Sequence, residues 1–233
     1  MVDEKRDRLI GMFGRIANGY DRMNSILSMG LHHGWRKFAI RECELPGEPR
    51  LLDVAVGTCD FAIEAVKSGG SALGVDPCAP MLAEGFEKLR RLGLERKIRL
   101  VVGQAEALPV PDDTFDAATI GFALRNVSDI DKTFSEMSRA VKPGGKVVAL
   151  EISKPRNALF RPLFFLYFYH VSPLVAQLFG GEGVAYHYLP NSLRQFRTRE
   201  ELCDSMKRAG LVDVHFHDLS FGMVCVHVGS KPV

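Results

Sequence analysis

The chain has 233 residues, 46% hydrophobic and 25% charged, a composition that permits a sizeable buried core and excludes a disordered or collagen-like chain. Thirty basic side chains against 28 acidic ones leave a formal charge of +2, too even a balance for the footprint of a nucleic-acid-binding surface. Five cysteines (Cys43, Cys59, Cys78, Cys203 and Cys225) contain no C-x-x-C pair, which argues against a disulfide framework or a zinc ribbon and for a reducing compartment.

In chain order, Met1 to Arg8 is charged and has no apolar h-region. No uncharged apolar run approaches the ~20 residues of a membrane span, so a cytoplasmic protein is expected. No repeat or linker-like break divides the sequence, and a single domain over 1–233 is the expectation. From Arg50 onward, short β-branched runs alternate with helix-period segments, the pattern of a parallel sheet covered by helices. Strands are read near 51–55, 71–76, 98–103, 115–120 and 145–151. A helix from Cys78 to Leu92 carries Met81, Leu82, Phe86, Leu89 and Leu92 on its apolar stripe and stops at Gly93. Segment 129–141 follows Ser128 as N-cap, with Ile130, Phe134, Met137 and Val141 aligned, and Lys142-Pro143-Gly144-Gly145 ends it before a strand from Lys146 to Glu151.

The aromatic run Leu163 to Tyr169 is too short to span a bilayer and reads as a lid over an apolar pocket or as a lipid contact. Thr198-Arg199-Glu200-Glu201 is a capping box opening a helix with Leu202, Met206 and Ala209 on one side. Val212, Val214 and Phe216 alternate with Asp213, His215 and His217, and Val224, Val226 and Val228 alternate beyond Gly222, which predicts a C-terminal antiparallel hairpin. His215, His217 and His227 read as its solvated face. His32 and His33 are adjacent and cannot face one point on a helix, so no catalytic metal is expected.

Leu51 to Asp60 is a buried strand running through a turn into a helix, where an open parallel sheet binds its ligand. Asp76 closes the next strand, 23 residues after Asp53. A carboxylate there accepts from both hydroxyls of a ribose, which suits an adenosine-containing ligand, either NAD or S-adenosylmethionine. NAD requires a G-x-G-x-x-G path for its pyrophosphate, whereas only Gly57 is present among Ala55, Gly57 and Cys59. Asp60 at the helix start repels phosphate and tolerates a cationic ligand, so a ligand without phosphate fits better. Arg125-Asn126 follows the fourth strand and belongs at the carboxyl edge of the sheet, where such folds collect their chemistry.

The sequence resembles class I S-adenosylmethionine-dependent methyltransferases, and within them the quinone C-methyltransferases of ubiquinone and menaquinone biosynthesis. Phe13-x-x-Ile16-Ala17-x-x-Tyr20-Asp21-x-Met23-Asn24 and Leu27-Ser28-x-Gly30-Leu31-His32-x-x-Trp35-Arg36 are similar to the N-terminal signature of that family. Ala105-Glu106-x-Leu108-Pro109-x-Pro111-Asp112-x-x-Phe115-Asp116, Leu124-Arg125-Asn126-Val127, Leu150-Glu151-x-Ser153-Lys154-Pro155 and Ala185-Tyr186-x-Tyr188-Leu189-x-x-Ser192 resemble further motifs, so the likeness covers nearly the whole chain.

The resemblance implies a Rossmann-like, mostly parallel sheet of about seven strands with helices on both faces. It also implies an N-terminal helical substrate cap over about 1–45 and a helical lid insertion over about 155–197. The cofactor is then S-adenosylmethionine, leaving as S-adenosylhomocysteine, with Asp53, Gly57, Thr58, Asp60, Asp76, Gln104, Ala105 and Gly121 around it. Arg125, Asn126, Tyr20 and Asp21 are the expected catalytic residues, and Asn24, Tyr186, Tyr188 and Ser192 the expected substrate contacts. Demethylmenaquinol is the first substrate, on the shortness of the chain before Phe13. A ubiquinone precursor, a ligand-binding protein without this activity and an NAD-dependent oxidoreductase are the alternatives. Peripheral contact with the inner membrane surface and a homodimer are compatible with this reading.

Three positions depart from the family pattern. Cys59 replaces the third loop glycine, where a Cβ is unfavourable if φ is positive. Gln104 stands where Asp or Asn is usual, and still accepts from an adenine amino group. Gly121 stands where serine is common and offers no side-chain hydrogen bond.

Overall fold

The computed structural model describes residues 2–67, 69–172, 174–175, 192–194 and 196–233. Helices α1 (Val2–Ile16), α2 (Tyr20–Leu27) and α3 (Leu31–Glu42) precede the sheet. Strands β1 (Arg50–Val54), β2 (Ser71–Asp76), β3 (Ile98–Val102), β4 (Phe115–Gly121) and β5 (Val141–Ile152) alternate with α4 (Asp60–Val66), α5 (Ala79–Leu92) and α6 (Ile130–Ala140). Helix α7 (Phe160–Leu166), a π-helical turn (Tyr167–Val171), α8 (Arg199–Arg208), β6 (Val212–Leu219) and β7 (Val224–Ser230) follow.

The seven-stranded sheet runs β3-β2-β1-β4-β5-β7-β6. Its β1–β5 pairings are parallel, while β7 is antiparallel to both β5 and β6, so the expected terminal hairpin forms one edge. Strands covered on both faces are apolar throughout. Leu51 belongs to the core with Phe61, Leu89 and Ile98 on one face, and Leu52 to the core with Ile120, Phe134, Met137, Leu202 and Met206 on the other. All five cysteines are free and buried.

Several local expectations change in detail. The N-cap of α6 is Asp129, whose side chain accepts from Lys132 N at 2.9 Å. Ser128 instead donates its amide to Glu106 Oε1 at 2.5 Å, so one residue's difference moves the cap. Lys142 to Gly145 does not precede the fifth strand but lies within it, as an irregularity between the Phe115–Val141 and Ala117–Lys146 pairs. Along α5 the buried face is Met81, Leu82, Gly85 and Leu89, leaving Phe86 47% and Leu92 55% exposed. The helix turns Gly85 inward because the Cys59 sulfur fills the place of its side chain: a Cβ on Gly85 would lie 2.7 Å from that sulfur. The capping box of α8 is present, with Thr198 Oγ1 accepting from Glu201 N and Glu201 Oε2 from Thr198 N.

Candidate active site

The β1–α4 turn carries three left-handed residues, Ala55 (φ 52°), Gly57 (φ 53°) and Cys59 (φ 73°). Only glycine adopts this region without cost, and the turn is held by what surrounds it. Val56 N donates to Val75 O at 3.1 Å, and Cys59 N to Val56 O at 2.9 Å. The carboxylate of Asp76 binds both sides of the cleft mouth, accepting from Gly57 N at 2.9 Å and Cys78 N at 2.8 Å. Burial pushes the Asp76 carboxyl above the usual carboxylate range, and these two amides oppose the shift.

A cavity of about 110 Å³ lies at the carboxyl ends of β1, β2 and β4, lined among others by Ala55, Gly57, Asp76, Gln104, Ala105 and Gly121. Five of the expected cofactor residues, Gly57, Asp76, Gln104, Ala105 and Gly121, therefore meet on one wall. The other three do not. Asp53 is buried beneath the turn, where its carboxylate accepts from Ala62 N and Thr119 Oγ1, each at 3.0 Å, and where burial raises its pKa to about 7. Thr58 points away and donates to Asp21 Oδ1 at 2.5 Å.

Asp60, read from the sequence as a ligand contact, is instead the centre of an ion cluster. Lys88 Nζ lies 2.5 Å from its Oδ1, and Arg36 Nη2 lies 3.2 Å from its Oδ2. Lys88 also reaches Asp21 Oδ2 at 2.6 Å, so Asp21 is likewise committed to the cluster and lies on neither cavity wall. The nearby cations hold the Asp60 carboxyl below its usual range against the opposing effect of burial. His32 accepts from Arg36 at Nδ1 and meets Ser25 Oγ at 3.0 Å through Nε2, and burial beside the guanidinium lowers its pKa to about 4. The cluster ties α2 and α3 to the β1–α4 turn and to α5.

The departures from the family pattern have structural counterparts. A Cβ at residue 121 would lie 2.2 Å from Phe61 Cε2, so a serine is excluded there while Phe61 keeps its place. Cys59 is fully buried, and burial raises its thiol to about 12, which disfavours the reactive thiolate near neutral pH. Cys59→Gly should relieve a left-handed strain of ~1 kcal/mol while losing part of the sulfur packing against Gly85. Calorimetry on the variant should give S-adenosylmethionine affinity equal to or better than that of the native chain. A large loss would mean that the side chain makes a contact the ligand needs.

A second, larger cavity of about 420 Å³ adjoins the first and is mainly apolar, with Met12, Ile16, Leu27, Trp35, Phe164 and Phe168 in its walls. Phe13, Tyr20, Phe122 and Asn126 line both spaces and form the partition between them. Phe122 holds φ 57°, uncommon for a bulky residue, with its amide bound to Leu150 O at 2.8 Å and its ring 5.5 Å below the Arg36 guanidinium. Burial raises the Tyr20 phenol above its ordinary value, opposed by the hydrogen bond with Asn24, so the hydroxyl stays protonated near neutral pH.

Arg125 lines the larger cavity and is itself buried. Its Nε donates to Glu151 Oε1 at 2.9 Å, its Nη2 to Phe122 O at 3.4 Å, and its Nη1 to Ser192 Oγ at 3.4 Å. The expected substrate residue Ser192 thus meets Arg125, and Asn24 joins the same cavity wall. Tyr186 and Tyr188 lie outside the described residues. Burial raises the Glu151 carboxyl, with Arg125 opposing. Tyr167, in the π-helical turn, donates to Leu27 O at 2.6 Å and closes the cavity against α2.

Phe122, Lys88 and Glu151 carry parts of this arrangement that sequence reasoning did not single out. Glu151 had a signal in its position at the end of β5 within the Leu150-Glu151 motif; Lys88 had none, since its two carboxylate partners come from distant segments.

This strand order, with a tight turn into a helix after β1 and an acidic residue closing β2, is that of a class I methyltransferase fold. Solved structures share it: the SpnF cyclase, at TM-score 0.67 and 19% identity, covers 94% of this chain and 95% of its own. A methyltransferase of Thermotoga maritima, at TM-score 0.63 and 22% identity, covers 95% and 98%. That a cyclase and a methyltransferase share the architecture leaves the chemistry to the site.

The chain belongs to the ubiE/COQ5 methyltransferase family, whose model matches residues 1–231. The demethylmenaquinone methyltransferase of Anoxybacillus flavithermus is 40% identical over 100% of this chain and 99% of its own length. That of Roseiflexus castenholzii is 40% identical over 98% and 95%.

Proposed function

We propose that this protein transfers a methyl group from S-adenosylmethionine to a ring carbon of a prenylated quinol, with demethylmenaquinol as the substrate. The observation that carries the reading is the partition formed by Phe13, Tyr20, Phe122 and Asn126, which separates a cleft at the sheet's carboxyl edge from a large apolar chamber. Full-length relatives named demethylmenaquinone methyltransferase support the choice of substrate.

The cleft suits an adenosine-bearing sulfonium. Gly57 leaves room that a Cβ would take from Met81, Asp76 presents a carboxylate to a ribose, and Gln104 offers an amide to an adenine. S-adenosylmethionine supplies the electrophilic methyl group when bound. The chain's own residues supply alignment and charge. An aromatic carbon becomes a good nucleophile when a neighbouring hydroxyl loses its proton, and a phenol titrates near ~10 in water. The hydroxyl proton is released to solvent, the methyl passes from sulfur to the ring carbon, and the hydrogen on that carbon is then lost as the ring regains its aromaticity and the oxygen its proton. Arg125 stabilises the developing phenolate, Asn126 orients the ring oxygen from the partition, and the protonated Tyr20 hydroxyl donates toward the same oxygen. Asp21, held by Thr58 and Lys88, positions α2 rather than relaying the proton. The apolar walls exclude water and accept the start of the prenyl chain.

The prenyl tail requires access to lipid. Leu159, Leu163 and Leu166 are 91%, 60% and 55% exposed on or beside α7, and Leu163 also lines the chamber, which suits peripheral contact with a membrane surface. Among the described residues no helix is long and apolar enough to cross a membrane. Turnover of S-adenosylmethionine with reduced demethylmenaquinol and, in parallel, with a demethylated ubiquinol headgroup tests the reading. Preference for the first is expected. Preference for the second transfers the assignment to ubiquinone precursors, and binding without turnover of either contradicts it.

A further inference from the structure

Away from both cavities, the C-terminal end of α3 meets the edge strand β6. His215 and His217, two residues apart, share one face of that strand, and Glu42 approaches them from the helix. One ligand-competent atom from each of the three lies within 4.8 Å of the others. His217 Nε2 is shielded from solvent and has no hydrogen-bond partner, yet it sits 3.3 Å from Glu42 Oε2. Two ligands at ~2.0–2.1 Å from a tetrahedral zinc ion are about 3.3 Å apart, so this pair already has the separation of two metal ligands. His215 supplies an independent observation. Its Nδ1 is 2.7 Å from the carbonyl oxygen of Asp213, which accepts only, so Nδ1 donates to it and Nε2 is the ring nitrogen left to ligate an ion. A backbone carbonyl fixing the imidazole in this way is the usual outer support of a metal-bound histidine.

From this geometry we infer that Glu42, His215 and His217 form a binding site for one zinc-type divalent ion. Two imidazoles and one carboxylate suit zinc and its neighbours rather than calcium or magnesium, which take oxygen ligands. His215 is exposed, leaving a side open for water as a fourth ligand. The ion's role is structural. Trp35 Nε1 already donates to Ser220 Oγ at 2.9 Å across the same junction, and the His217 ring stands 5.3 Å from that of Phe38. A metal there would fasten α3, whose Trp35 and Arg36 line the apolar chamber, to the edge strand of the sheet.

The test titrates the full chain, stripped of metal by a chelator, with zinc chloride in a calorimeter. One equivalent should bind, and Glu42→Gln and His217→Ala should each weaken it at least tenfold, while substitution of an exposed histidine elsewhere on α3, His33→Ala, should not. Free zinc at ~100 times its dissociation constant should raise the native melting temperature by ~5–10 °C and leave both site variants unmoved. Cobalt substituted for zinc should show the visible bands of a four-coordinate site in the native chain only. Absence of saturable binding overturns the proposal. So does equal binding by the native chain and both site variants, which would mark an adventitious ion only.

Discussion

Arg125→Ala is expected to lower kcat by ~10²–10³ while S-adenosylmethionine affinity changes little, because the guanidinium acts on charge that develops in the transition state. The structure adds a complication that the experiment must separate. Arg125 neutralises Glu151, which is 1% exposed, and breaking a buried pair by removing one partner costs ~3–5 kcal/mol unless the orphan takes up a proton. Burial already pushes the Glu151 carboxyl that way. The double variant Arg125→Ala/Glu151→Gln removes the stranded charge, so it should recover thermal stability without recovering turnover. Arg125→Lys should restore only part of the rate, since a compact ammonium cannot both hold Glu151 through Nε and present a planar fork to the chamber. Single-turnover rates and melting curves on the same preparations check this. A folded Arg125→Ala enzyme with near-native turnover would shift charge stabilisation to Tyr20 and Asn126.

Asp76→Ala should weaken S-adenosylmethionine binding by ~10²-fold or more. The carboxylate fixes Gly57 N and Cys78 N while facing the cleft, so the variant loses both the loop pins and the acceptor offered to a ribose. Hydrogen bonds to a charged group contribute ~1.5–3 kcal/mol each, and ~1.4 kcal/mol is tenfold in affinity. Asp76→Asn keeps one acceptor oxygen and should lose less. Calorimetry on folded protein distinguishes this from a purely local role: a variant with lowered melting temperature but native affinity would make Asp76 a loop anchor and nothing more.

The parts of this site that were legible in the sequence are those whose partners are close along the chain or whose pattern is periodic. The strands, the terminal hairpin and the Thr198 capping box follow from alternation and local hydrogen-bonding chemistry. Gly57 and Asp76 follow because a turn after one strand and an acid at the end of the next face each other by the geometry of a parallel sheet.

Asp60 shows where the sequence stops being informative. A carboxylate at a helix start looks like a ligand contact, and only tertiary packing brings Arg36 and Lys88 to it. The placement of Asp53 was equally illegible, because strand register alone does not say whether a carboxylate lies on the cleft wall or under its floor. The burial of Gly85 in place of Phe86 depends on the Cys59 sulfur, and the Glu42 contact to His217 joins segments 175 residues apart. The partition itself was half visible: Phe13, Tyr20 and Asn126 lie in recognisable motifs, whereas Phe122 owes its place to a strained backbone.

The most direct measurement is the fate of an isotopically labelled methyl group when the enzyme turns over once with reduced and with oxidised demethylmenaquinone. The two-chamber arrangement predicts that the label appears on a ring carbon of the reduced substrate, with the oxidised quinone unreactive because it has no hydroxyl proton to lose. Label on a quinol oxygen, or equal transfer to the oxidised ring, would contradict it.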